Sequence, residues 1–185
     1  MSAGRKQRAF TLIESLFVVV IIGIMAVLAT VGYRKWVIQS HEAEAQDMIS
    51  NIREAEETFK AENGAYVNVS GGLEPPNMYP QPSPVGTITT QWGGPCGTCA
   101  GSWTTLNVAP NAPVVFGYAV VAGAAGSTTA PAITWNGQPV NMAPLLASAW
   151  YVVEAYCDLN AQGTPDTQIY GVSNSNLLMM NNEGQ

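Results

Sequence analysis

The chain has 185 residues, of which 47% are apolar, and a formal charge of −6. That size and composition suit one domain with a real core plus an extended element, and they exclude general disorder. All seven basic residues (Arg5, Lys6, Arg8, Arg34, Lys35, Arg53, Lys60) lie in the first sixty positions, and from Ala61 to Gln185 six acids stand without a single Lys or Arg. A phosphate-binding surface needs clustered cations, so no direct nucleic-acid binding is expected of that region.

The chain opens with a short basic flank, "GRKQR", followed by a run from Phe10 to Gly32 in which Glu14 is the only charge. At 1.5 Å per residue the run makes roughly 35 Å of helix, enough for a hydrocarbon core of about 30 Å. The basic flank holds the N-terminus in the cytoplasm and puts everything after Gly32 outside. A secretory signal cut after "VLA" (27–29) is the bland reading, but the run exceeds a usual h-region and a carboxylate at its entrance would hinder that use; a plain single-span anchor accounts for the length. Neither accounts for Glu14, because an ionisable group within a span is by default functional and needs a partner. A cut between Ala9 and Phe10 would supply one, a free α-amine on Phe10 four residues before Glu14. That pair is i, i+4 within one helix and self-complementary between neighbouring helices.

Basic leader, small residue, F-T-L-I-E and then about twenty apolar residues: over residues 5 to about 36 this closely resembles the class III signal of type IV prepilins and related pseudopilins. The resemblance implies cleavage after Ala9 by a membrane prepilin peptidase and N-methylation of Phe10. It implies that Glu14 meets the Phe10 amine of an adjacent subunit as helices assemble. The partners it implies are the lipid bilayer before assembly, an inner-membrane assembly platform, and copies of this chain or other pilins in a helical filament. It places the precursor in a bacterial inner membrane and the product in an extracellular pilus or periplasmic pseudopilus. In this chain Ala9 stands where the family usually has Gly, and Val31 where it commonly has Pro.

Beyond Gly32 the pattern becomes amphipathic. Val37, Ala45, Met48, Ile49, Ile52, Ala55 and Phe59 form one stripe, the mark of a helix with a buried face. Glu42, Glu44, Asp47, Arg53, Glu54, Glu56, Glu57 and Lys60 are expected on the solvent face, with Glu56 and Lys60 paired at i, i+4. Asn63-Gly64 offers a left-handed stop. The expected organisation is a cleaved leader (1–9), a long helix (10–62, with 10–32 in the membrane or filament core) and an extracytoplasmic head (63–185). His41 reads as a solvated helix residue, since a lone His has no ligand partners at metal spacing.

In the head, residues 63–113 read as loop, rich in Pro and Gly. Val114–Val121, Ala132–Trp135, Trp150–Cys157 and Gln168–Ser173 read as strands by their β-branched and aromatic content, and 174–185 as a C-terminal segment. The fold class is therefore α+β: a long N-terminal helix packed on an antiparallel sheet of about four strands, an order that resembles the pilin head. Cys96, Cys99 and Cys157 fall where disulfides persist. Cys157 with Cys96 or Cys99 is the expected bridge, a local Cys96–Cys99 bridge the alternative. "CGTC" lies among Gly and Pro instead of opening a helix, which argues against redox catalysis. "DLNAQG" faintly copies a calcium loop through Asp158 and Asn160, with no closing acid; an ordinary turn is the plainer reading, and no cofactor is expected. A catalytic triad and a phosphate cradle both lack their residues.

Two functions of different class follow. One is a non-enzymatic structural subunit of a type IV pilus or pilus-like filament, including the pseudopilin of a type II secretion system. The other is a monomeric, membrane-anchored binding or thiol-redox module.

Overall fold

The computed structural model describes residues 11–81, 88–94, 103–159 and 167–181. Helix α1 runs unbroken over Leu12–Asn63, so the helix continues straight through Val31, where the expected Pro is absent. The chain divides into two compact units, residues 1–37 and 38–185. In the first unit the large apolar side chains of α1 are all open, from Leu12 (89% exposed) to Trp36, and the most apolar stretch has a mean hydropathy of 2.8.

In the second unit α1 becomes a core element. Ala45, Met48, Ile49, Ile52 and Glu56 are buried, a stripe at three- and four-residue steps. Ile38, Ala55 and Phe59 pack partly buried beside it. The helix stops as its sequence requires: Gly64 takes φ +79° and its N–H donates to the Lys60 carbonyl at 2.8 Å, the left-handed cap that glycine adopts without a Cβ penalty.

The stripe lies on a four-stranded antiparallel sheet, β1(Gly117–Gly123), β4(Trp150–Cys157), β5(Thr167–Val172) and β6(Ser175–Asn181), in the order β1-β4-β5-β6. Register runs from Gly117 opposite Tyr156 to Gly123 opposite Trp150, and Val152 lies opposite Val172. Alternation along the strands assigns two faces. Tyr118, Val120, Tyr151, Val153, Ala155 and Ile169 join the helix core, and Gly171 lies under α1. A Cβ on Gly171 would sit 2.8 Å from Ile49 Cγ2, so this glycine sets how closely helix and strand approach.

The opposite face is buried too. Trp150, Val152, Tyr170 and Val172 are covered by Ile133, Leu145 and partly buried neighbours from the segment holding the hairpin β2(Thr134–Trp135)–β3(Gln138–Pro139) and a short helix over Ala143–Leu146. The middle strands are therefore covered on both faces, as in a sheet between layers, with Glu154 the one acid on β4.

Three expectations need correction. Ala132–Trp135 does not join the main sheet; Thr134 and Trp135 pair only with β3, through a turn in which Asn136 and Gly137 have φ +49° and +73°, the pattern of a type I′ hairpin. The fourth strand is β6, formed by most of what reads as a C-terminal segment, since a two-residue turn after Val172 returns the chain with Val172 opposite Ser175. Nor are Glu42 and Glu56 on a solvent face: they are 4% and 0% exposed. The Glu56–Lys60 pair gives way to Lys60 Nζ donating to the Tyr66 hydroxyl at 3.1 Å.

Candidate functional site

The N-terminal site is built by the first turn of α1. Thr11 caps the helix: its Oγ1 accepts the Glu14 N–H at 3.3 Å, and its carbonyl accepts the Ser15 N–H at 3.1 Å. Thr11 and Glu14 thus have the N-cap and N3 spacing of a capping box, where a carboxylate also meets the positive end of the helix dipole. This local chemistry explains a carboxylate in the first turn. It does not explain why that turn opens an exposed apolar helix, where ending the charge at Ala or Gln would be less costly. Ala9 and Phe10 lie outside the described residues, so the spacing of the Phe10 amine from Glu14 is known from the sequence alone. Gly23 and Gly32 have open space where a Cβ would stand.

In the head, Cys157 is buried on β4, with Sγ 3.2 Å from the Val115 carbonyl. Cys96 and Cys99 lie outside the described residues, as does any bridge to them. Asp158 follows β4 directly and is 2% exposed, so its carboxyl is not on an open turn; Asn160, its partner in the calcium reading, lies outside the described residues. Among the described residues no group of three or more His, Cys, Asp or Glu side chains could hold a metal ion. His41 Nδ1 sits 3.8 Å from Glu44 Oε2 on α1.

Glu56 and Glu154 are buried carboxyls that the sequence reading did not place in the core. Glu56 Oε2 accepts the Val67 N–H at 3.0 Å, while Oε1 is buried without a hydrogen-bond partner among the described residues. Burial pushes this carboxyl up to about 7, against the lowering effect of the Val67 bond, with a further push from Glu57. Here the acid pins the chain leaving α1 back onto the helix. Glu154 stands in mid-β4, 2% exposed, on the face away from α1. Burial pushes it up to about 8, the Tyr170 hydroxyl bonded to it acts the other way, and the charge of Glu74 adds to the rise. The signal for both was phase. Glu56 falls four residues after Ile52, and Glu154 two after Val152 in "WYVVEAYC", each on a buried row.

Both cations on the sheet-packed part of α1, Arg53 and Lys60, are engaged. Arg53 Nη2 donates to the Ser175 carbonyl at 2.7 Å and to Asn176 Oδ1 at 3.3 Å, holding the β5–β6 turn against α1. Lys60 also lies 4.3 Å over the Tyr66 ring, whose hydroxyl donates to Glu57 Oε1 at 2.8 Å.

Residues 4–30 match the family described as the prokaryotic N-terminal methylation motif. This is the class III signal typical of type IV pilins and pseudopilins, proteins that are structural and not enzymatic, and it implies processing by a prepilin peptidase and filament assembly. No curated protein and no solved structure matches the chain. The chain thus carries the methylation motif typical of type IV pilins and pseudopilins at the start of a helix long and apolar enough to cross a membrane, and its helix-on-sheet head is pilin-like in fold.

Proposed function

We propose that the chain is a prepilin, cut after Ala9, N-methylated at Phe10, and assembled through its apolar helix as a structural subunit of a type IV pilus or pilus-like filament. The observation that carries this reading is a methylation motif over residues 4–30 running into a helix whose large apolar side chains from Leu12 to Trp36 are all exposed. Such a surface needs either lipid or other helices around it. A membrane supplies the first before assembly and a bundle of sister helices the second after it.

Exchanging lipid for protein changes apolar burial little, so register in the bundle must come from packing and polar contacts. Glu14 supplies the polar contact. In a dry bundle its carboxylate is costly alone and favourable when paired with the Phe10 amine of a neighbour. Loss of the leader removes Arg5, Lys6 and Arg8 and leaves four basic against thirteen acidic residues, or −9. Head-to-head contacts between such subunits are polar and salt-sensitive.

Glu14→Ala tests the mechanism. The variant should be cleaved and membrane-bound at normal levels and be largely missing from sheared filaments. Normal incorporation would overturn the role of Glu14. Mass spectrometry of the mature N-terminus tests the processing, with a methylated Phe10 expected; a chain that keeps its leader, or begins near Ala29, would remove the filament reading.

A further inference from the structure

A cavity of about 550 Å³ opens on the sheet face away from α1, between β1, β4 and β5 on one side and segments 71–75 and 129–134 on the other. Its floor carries Glu154, Tyr156 and Tyr170, its rim Glu74, and its walls include Leu73 and Pro131. Glu74 is held at the rim by Asn77 Nδ2, which donates to its Oε2 at 3.1 Å. Two carboxyls thus face one cavity that has no basic side chain in its lining, in a chain with none after Lys60. Arg53 and Lys60 on α1 are committed to Ser175, Asn176 and Tyr66. Glu154 is therefore held neutral in the empty fold by burial, bonded to the Tyr170 hydroxyl, and its charged form has no basic partner among the described residues.

We propose that this cavity binds an alkylammonium group, a protonated primary amine on an aliphatic stem, with Glu154 and Glu74 as its counter-charges. The amine would sit between the two carboxyls and beside the faces of Tyr156 and Tyr170, where ring and cation attract, while Leu73 and Pro131 line the stem. The cavity is far too large for a bare metal ion, and two carboxyls fall short of the six or more oxygens that a calcium ion gathers. A guanidinium would claim both oxygens of a carboxylate as a fork, displacing the Tyr170 hydroxyl from Glu154; an ammonium needs only one. An anion is excluded by charge.

Binding carries a proton signature. Glu154 holds its proton to about pH 8 in the empty cavity and must release it to meet a cation. The titratable groups facing it are Glu74 from the rim, Tyr156 from its own strand and Tyr170 from β5; burial and the neighbouring carboxylates raise both phenols above their ordinary value of 10, so neither deprotonates near neutrality. Affinity should therefore climb roughly tenfold per pH unit below pH 8 and level off above it.

The test is calorimetric titration of the full chain in detergent with n-pentylamine, 1,5-diaminopentane and the amide of Nα-acetyl-lysine, at pH 6.5, 7.5 and 8.5. Pentylamine should bind about tenfold more tightly at pH 7.5 than at 6.5 and release a proton, while n-pentanol should not bind. Tighter binding of the diamine points to a free amine as the natural source. Tighter binding of the lysine amide points to a lysine side chain of a protein. Glu154→Gln should weaken pentylamine at pH 8.5 by tenfold or more and abolish the pH dependence. Glu74→Gln, at an exposed rim position with little bearing on folding, should weaken it several-fold. Absence of millimolar binding by any amine, equal binding of pentanol, or Glu74→Gln without effect would each overturn the proposal. None of these outcomes depends on whether the chain forms filaments.

Discussion

Replacing Glu56 with Gln should convert a pH-dependent head into one that is more stable at neutral pH. Glu56 Oε2 accepts the Val67 N–H at 3.0 Å, and a glutamine carbonyl oxygen can keep that bond without a charge. The folded chain holds the Glu56 proton up to about pH 7, against 4.5 for an unperturbed glutamate. Between those values the folded state binds more protons than the unfolded one, so stability falls as pH rises and levels off above 7. At 1.36 kcal/mol per pH unit, the interval corresponds to roughly 3 kcal/mol, an upper bound because the Val67 bond also adapts. The assay is urea unfolding of the detergent-solubilised chain and the Gln variant from pH 4.5 to 8.5, followed by the fluorescence of the buried Trp103 and Trp150. The two proteins should be within about 1 kcal/mol at pH 4.5, with the variant ahead by about 2–3 kcal/mol at pH 8. Glu154 adds a slope of the same sign to both, and being on the other face of the sheet it cancels in the difference. Curves that stay parallel across the whole range would refute the assignment of a strained, buried carboxyl at position 56.

Other outcomes follow from contacts in the head. Gly171→Ala should destabilise the head by about 1–3 kcal/mol, since the new methyl would stand 2.8 Å from Ile49 Cγ2 and 3.3 Å from Arg53 Cδ in a packed interface; unfolding at pH 5 reads it. Arg53→Met should cost about 1–2 kcal/mol, with faster amide exchange concentrated at Ser175–Leu178, because the 2.7 Å bond from Arg53 to the Ser175 carbonyl ties that turn to α1.

What the sequence made legible was what its local patterns encode. Trp150–Cys157 appears as β4 at the expected residues because seven of its eight residues are aromatic, β-branched or small and apolar, which leaves little alternative. The helix stop at Asn63-Gly64 is equally local. β6 was not legible, since "SNLLMMN" contains no β-branched or aromatic residue; it becomes a strand because β5 offers it an open edge and Leu178 and Met180 reach the helix core. The hairpin at Asn136-Gly137 was legible and underused: two positive-φ residues in succession mark a type I′ turn, and that turn diverts Ala132–Trp135 from the main sheet.

The buried acids expose a limit of pattern reading. Assigning every charge to solvent puts Glu56 opposite Lys60, although its phase with Ile49 and Ile52 puts it on the apolar stripe. The rule that charges are exposed outweighed the geometry, and it fails where a backbone N–H waits to be satisfied, as at Val67. Glu14 poses the same question with a different answer. Its position is the first turn of a helix, where Thr11 and the helix dipole favour a carboxylate without offsetting its cost in an apolar surround. The two explanations part only in assembly: a capping glutamate is replaceable by glutamine with a small loss of helix stability, whereas a counter-ion to a neighbour's amine is not. Filaments built at normal yield from Glu14→Gln chains would assign Glu14 to the helix start, and their loss with processing intact would assign it to the contact between chains.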